Sequence, residues 1–232
     1  MVSALSKGWA TMSRIVIFGA GGRAGRHAVT EAVARGHQVT AVVRDPAKYP
    51  DLAAEAVVVV AGDVTRAEDV AKAAVGQDAA ISAVYRPDVS SREFYVSAAQ
   101  ALLDGLTRSG VGRLLLVGIG TALETAPGVA VHDAPGFPPE YREFSLGHAA
   151  ELEVLRTADT EIDWLVLAPP PTVLDNDAPR TGRYRIGHTQ VLPDDEAAAA
   201  FSYADLAVAL LDEIDTPEHH RTLAAVAAPA RH

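Results

Sequence analysis

The chain has 232 residues, 49% of them hydrophobic and 22% charged, with a formal net charge of −10 and no cysteine. That balance suits one α/β domain with a substantial core and excludes a disordered chain, while the negative charge argues against a nucleic-acid surface, which needs clustered Lys and Arg. The lack of cysteine excludes disulfides, thiolate metal sites and cysteine nucleophiles and fits a cytoplasmic setting, and the apolar runs at 56–61 and 114–117 are strand-sized, too short for a membrane span.

Residues 1–12 carry no apolar leader and are expected to form a flexible extension ahead of a single domain over 13–232. A buried strand over 14–18 runs into Gly19-Ala20-Gly21-Gly22-Arg23-Ala24-Gly25, then into a helix with Gly25, Ala28, Ala32 and Val33 on one face. Strand, glycine turn and helix N-terminus together make a site for a nucleotide pyrophosphate. Gly19 permits the sharp turn, Gly22 a close approach of backbone N–H groups to phosphate, and Gly25 tight helix packing. Arg23 and Arg26 are expected to add positive charge there.

The second strand, 38–43, ends at Arg44-Asp45-Pro46. An acid at this place accepts from the ribose hydroxyls of NAD, whereas an arginine suits the 2′-phosphate of NADP. Arg44 therefore points to NADPH, and Asp45 beside it leaves NAD possible. Further strands are predicted at 56–60, 78–83, 113–118, 162–167 and 222–227, alternating with helices in the pattern of a Rossmann-type doubly wound, mainly parallel sheet with helices on both faces. Asp63 and Val64, after the third strand, are expected near the adenine. The proline-rich stretch 168–200 is too long for an ordinary connection and reads as a substrate-side insertion with a hairpin around 180–187. A last helix is predicted after Ser202 as N-cap, with Asp205 three residues on and an apolar face of Tyr203, Leu206, Ala207, Leu210, Leu211 and Ile214.

Ligands of such sheets bind beyond the carboxyl ends of the strands, where the strand order reverses. The glycine turn, Ala83-Val84-Tyr85-Arg86-Pro87, Gly118-Ile119-Gly120-Thr121 and Ala168-Pro169-Pro170-Pro171-Thr172 should therefore line one crevice. The glycines of the third segment would admit a flat ring, and the prolines of the fourth would form a rigid wall.

Gly19-x-x-Gly22-x-x-Gly25, Val43-Arg44-Asp45-Pro46, Gly62-Asp63-Val64, Leu115-Leu116-Val117-Gly118, Leu165-Val166-Leu167-Ala168-Pro169 and Thr181-Gly182-Arg183-Tyr184-Arg185 together resemble the atypical short-chain dehydrogenase/reductases, more narrowly the flavin-reductase-like group that includes biliverdin reductase B. The resemblance covers about 14–227. It implies an NADPH-binding domain that passes hydride to flavins, quinones or tetrapyrroles, with the nicotinamide near Gly118 and Pro169. The chain also departs from the pattern. Where ordinary short-chain dehydrogenases carry Tyr-x-x-x-Lys, it reads Phe144-Ser145-Leu146-Gly147-His148, and Phe144 cannot donate a proton. Ile119 and Thr121-Ala122 stand where relatives carry serine.

The acid/base candidates are then His148, which stands in place of the family lysine and carries an imidazole, a group able to exchange protons near neutral pH, Thr121 as the nearest hydroxyl, and Tyr141. Tyr85, His132 and Asp133 are expected as lining or loop residues, and Tyr85, Ile119, Gly120, Phe137, Phe144 and Thr172 as substrate contacts. Asp194-Asp195 reads as an acidic loop, and His219-His220 as a surface turn without the third ligand a catalytic metal needs, so no metal is expected. The expected activity is NAD(P)H-dependent reduction of a flat aromatic, quinone or flavin-like acceptor by a monomer or homodimer that engages neither nucleic acid nor membrane. An oxygenase or tailoring enzyme built on the same scaffold, and a non-catalytic NAD(P) sensor, are the alternatives.

Overall fold

A computed structural model of the chain describes residues 12–172, 174–193 and 201–230. The core is an eight-stranded sheet built from β1 (Arg14–Phe18), β2 (Gln38–Val43), β3 (Val57–Ala61), β4 (Ala79–Ser82), β5 (Arg113–Val117), β8 (Asp163–Ala168), β9 (Arg185–Ile186) and β10 (Thr222–Ala227). Its order is β3-β2-β1-β4-β5-β8-β10-β9, with every pairing parallel except β9 on β10. The chain winds outward from β1 to β3, then returns to place β4 on the other side of β1. The order reverses between β1 and β4, so a crevice opens at their carboxyl ends.

Both faces of the sheet are covered, which explains why its strands read as continuous apolar runs. Along β1, Ile15 and Ile17 enter the core under α1 (Arg23–Ala34) and α5 (Tyr203–Asp215), while Val16 and Phe18 enter the core under α2 (Ala67–Ala74), α3 (Ser91–Ser109) and α4 (Pro139–Thr157). The same period of two sends Leu115 one way and Leu114 and Leu116 the other. α3 ends where Gly110 takes φ +76 and its N–H closes back on Leu106 and Thr107.

The predicted strands at 14–18, 38–43 and 222–227 have those limits, and the others differ by one residue at one or both ends. A two-stranded ribbon of β6 (Glu124–Ala126) and β7 (Val129–Ala130), turning through Gly128 at φ +76, was not anticipated.

The hairpin expected at 180–187 does not form. Arg185 and Ile186 instead pair with Ala227 and Val226, adding β9 as an antiparallel edge. Ser202 caps α5 by accepting from the Asp205 N–H at 3.0 Å, but the Asp205 carboxylate does not return to the cap. It accepts from the N–H groups of Thr181 and Gly182 at 2.9 and 2.8 Å and from the Thr181 hydroxyl at 2.7 Å. Arg180 grips the buried Glu31 of α1 through two bonds of 2.7 and 2.8 Å, and the Tyr184 hydroxyl donates to Asp212 at 2.6 Å. These bonds tie the segment after β8 to α1 and α5.

Candidate active site at the sheet switch point

The glycine turn follows directly from β1. Gly19 has φ +77, and a Cβ there would stand 2.7 Å from the Ala83 carbonyl carbon, so only glycine fits between the ends of β1 and β4. Gly19 and Ala20 donate to the Val42 carbonyl at 3.2 and 3.4 Å, and Gly22 to the Gly19 carbonyl at 3.0 Å. A Cβ on Gly25 would lie 2.8 Å from the Ala20 Cα, which is the close helix-to-turn packing expected of that position. α1 then begins at Arg23 with Gly22 as N-cap, no side-chain cap and no acid in its first turn. Its leading N–H groups therefore lack a side-chain acceptor, and the positive end of the helix faces the crevice.

The flanking arginines divide. Arg23 and Arg44 are exposed and make no hydrogen bond or ion pair among the described residues. Arg26, expected to serve the phosphates, is committed elsewhere: its Nε donates to the Gly21 carbonyl at 3.1 Å and its guanidinium pairs with Asp51. Asp45, the candidate ribose acceptor, accepts from the Ala47 N–H at 3.2 Å and so caps the short 3₁₀ turn at Pro46–Lys48.

Arg44 shares a cleft with Gly19, Gly21, Gly22, Asp63, Val64, Ala83, Val84 and Tyr85. Asp63 accepts from the Thr65 N–H and hydroxyl at 2.9 and 2.7 Å, both on Oδ1, which leaves Oδ2 without a partner among the described residues. Burial pushes its carboxyl up, but the two Thr65 bonds, with the Arg86 and Arg44 charges, outweigh this and hold it below the ordinary range. Asp63 is therefore an anionic acceptor. The cleft has a volume of about 180 Å³.

Across the switch point, the segments after β5 and β8 pack on each other. A Cβ on Gly118 would lie 2.6 Å from the Val166 Cγ1, and one on Gly120 would lie 2.5 Å from the Pro170 carbonyl carbon. These glycines admit the neighbouring strand and the proline wall. Pro169 is buried, Ile119 and Pro170 are half-buried, and Thr172 is exposed with its N–H turned to the Pro170 carbonyl at 2.7 Å.

The Thr121 hydroxyl lies 2.8 Å from that of Ser145, whose single proton goes to the Tyr141 carbonyl at 2.9 Å. Thr121 must then be the donor in their shared bond, so its proton points into the protein and not to an acceptor. His132 is buried and closes the same knot, its Nδ1 2.7 Å from the Thr121 carbonyl. A carbonyl only accepts, so the His132 Nδ1 carries the proton.

His148 is buried on α4, with its Nδ1 3.0 Å from the Glu151 carboxylate and its ring 3.9 Å from that of Tyr95 and 5.0 Å from that of Phe144. The Phe144 ring in turn meets that of Tyr85 edge-on at 5.5 Å. Burial pushes the Tyr95 phenol up, the Glu151 and Tyr85 charges adding to it, and its O–H donates to the Val84 carbonyl at 3.2 Å. Tyr95 is thus a fixed neutral wall. Tyr141 is 61% exposed and its hydroxyl has no partner among the described residues, and Phe137 is half-buried. Sequence reasoning missed Ser145 and Glu151. The i, i+3 spacing of His148 and Glu151 on one helix was the available signal for the latter.

His219 and His220 pair with Glu213 at 2.6 Å and Asp163 at 2.7 Å around Arg113, at the amino ends of β5 and β8, away from the crevice. Among the described residues no cluster of His, Asp or Glu is arranged for a metal, and no helix is long and apolar enough to cross a membrane. Asp194 and Asp195 lie outside the described residues.

Strand order, open helix N-terminus and glycine cradle define a Rossmann-type dinucleotide-binding protein. Residues 19–217 match the NAD(P)H-binding family, and the chain belongs to it as an atypical short-chain dehydrogenase/reductase. It is 33% identical to the uncharacterized protein YwnB of Bacillus subtilis over 89% of this chain and 94% of that one. Among solved structures it is similar to a protein of Burkholderia pseudomallei (33% identity, TM-score 0.81, 94% of this chain and all of that one). It is likewise similar to a Streptococcus pneumoniae protein provisionally assigned as an NADH-flavin reductase (26% identity, TM-score 0.80, the same coverage). The family is one of NAD(P)H-binding oxidoreductases.

Proposed function

We propose that the protein is an NADPH-dependent reductase that passes hydride to a flat conjugated acceptor such as a flavin or quinone. The observation that carries this reading is that, beside an intact cofactor cradle, the usual Tyr-x-x-x-Lys acid is missing and the hydroxyls nearest its place are committed to other partners. Phe144 has no proton to give, the Thr121 proton is turned to Ser145, and the Tyr95 O–H donates to the Val84 carbonyl. A carbonyl reductase needs a positioned acid to protonate the developing alkoxide. A flavin or quinone delocalises the arriving electron pair and takes its proton from water afterwards, so the missing acid is tolerated. The name of the Streptococcus pneumoniae relative supports the same acceptor class.

When bound, the reduced nicotinamide supplies the hydride, and the acceptor leaves with two more electrons. The first turn of α1 would hold the pyrophosphate, Arg44 the 2′-phosphate, and the Asp63 Oδ2 the adenine amine. Tyr85, Ile119, Phe137 and Phe144 would form the apolar rim for the acceptor. His148, oriented by Glu151, would pack behind that rim against Phe144 and Tyr95. The partner is a small molecule, and the absence of cysteine suits a reducing cytoplasm.

Stopped-flow mixing with NADPH and a panel of flavins and quinones tests this reading. Loss of absorbance at 340 nm with at least one acceptor is expected, and no loss across the panel would overturn it.

A further inference from the structure

One aromatic residue at the cofactor cleft belongs to none of the motifs that mark the fold. After β2 the chain makes two short 3₁₀ turns, Pro46–Lys48 and Pro50–Leu52, with Tyr49 between them. The Tyr49 ring lies directly over the glycine turn: a Cβ on Gly21 would stand 2.6 Å from its Cζ and 2.8 Å from its Cδ1. Gly21 is therefore required by this tyrosine as much as by any ligand. Tyr49 lines the same cleft as Arg44, and its hydroxyl has no hydrogen-bond partner among the described residues.

Arg26 explains why the ring is there. Its Nε holds the Gly21 carbonyl at 3.1 Å, its guanidinium pairs with Asp51 on the second 3₁₀ turn, and its charge sits 5.6 Å from the centre of the Tyr49 ring. One guanidinium thus joins the glycine turn to the segment that covers it. The arginine that sequence reasoning assigned to phosphate instead orders the wall around the phosphate.

We infer that Tyr49 is a specificity-determining residue of the cofactor site, its hydroxyl standing with Arg44 at the 2′-position of the adenosine ribose, and that Arg26 is the positioning residue that holds it there. This rests on the dinucleotide reading above. A 2′-phosphate offers oxygens that only accept, so it takes the Tyr49 O–H and the Arg44 fork together. A 2′-hydroxyl gives the same pair far less, so the preference for 2′-phosphorylated ligands depends on both residues.

Calorimetric titration of the full chain with adenosine 2′,5′-bisphosphate and with 5′-ADP provides the test without any acceptor. Tyr49→Phe keeps the ring on Gly21 and removes only the hydroxyl. It is expected to weaken the bisphosphate by about tenfold, as for one hydrogen bond to a charged group, and to leave 5′-ADP within about twofold. Arg26→Ala is expected to lower the same ratio in wild-type protein but to have little further effect on it in Tyr49→Phe. A merely structural loss would weaken both ligands equally and would add in the double variant. An unchanged ratio in Tyr49→Phe would overturn the inference while leaving the dinucleotide site standing. Failure of wild-type protein to bind either ligand would overturn the dinucleotide reading itself.

Discussion

The two sides of the switch point treat their polar groups in opposite ways. On the side of β1, β2 and β3, the leading N–H groups of α1, the guanidinium of Arg44 and the Asp63 Oδ2 stand without partners among the described residues. On the side of β5, β8 and α4, Thr121, Ser145, His132, His148 and Glu151 satisfy one another. Unpaired polar groups at a cleft are groups prepared for a ligand, whereas a closed network specifies a shape and leaves little to donate. The first side presents groups able to take part in ionic recognition, and the second presents polar groups mostly committed to one another.

The strongest way to break this contrast is at Gly19. Gly19→Val forces a β-branched residue to φ +77 and drives its Cβ against the Ala83 carbonyl. About 2–5 kcal/mol of stability and all nucleotide binding should be lost, as read by thermal unfolding and titration. Retained binding would show that the turn is not the phosphate site.

Arg44→Ala comes next. NADPH affinity should fall by roughly tenfold or more and NADH affinity by less than about threefold, and raising the salt concentration should narrow the difference. Equal losses for both cofactors would remove Arg44 from the 2′-position.

Thr121→Val sharpens the other side. With the Thr121 proton turned to Ser145, the substitution should cost about 1 kcal/mol of stability and leave turnover of a flavin or quinone within about threefold. A hundredfold fall in kcat would make Thr121 the acid after all.

The smallest effect concerns neither side directly. Arg180 holds the buried Glu31 carboxyl below its ordinary range, with Arg35 helping and burial opposing. A lowered carboxyl contributes stability above the ordinary glutamate range that is lost as the pH falls through the lower folded value. Arg180→Ala should remove about 1 kcal/mol at neutral pH and move the acid-unfolding midpoint to higher pH, measurable by circular dichroism.

Much of the architecture was legible because its signals are local. The strand periods, the glycine spacing and the Ser202 cap each lie within a few residues. The segment after β8 was misread because its partners are remote: Arg180 meets Glu31 across 149 residues, Tyr184 meets Asp212 across 28, and Asp205 holds Thr181 across 24. The commitments of Arg26 to Asp51 and of Thr121 to Ser145 were unreadable for the same reason, whereas the Asp45 cap on Ala47 lies only two residues on. Residue type shows what a side chain is able to donate, and only its neighbours show where the proton or charge has already gone.

The sequence by itself determined a dinucleotide fold, the carboxyl-end crevice and the absence of the usual Tyr-x-x-x-Lys acid, because apolar period, glycine placement and residue identity suffice for each. The tertiary structure decided which arginine is available, that Gly118 and Gly120 serve packing, and that Tyr49 covers the phosphate turn. Those outcomes depend on distances between segments far apart in the chain, and no local pattern encodes them.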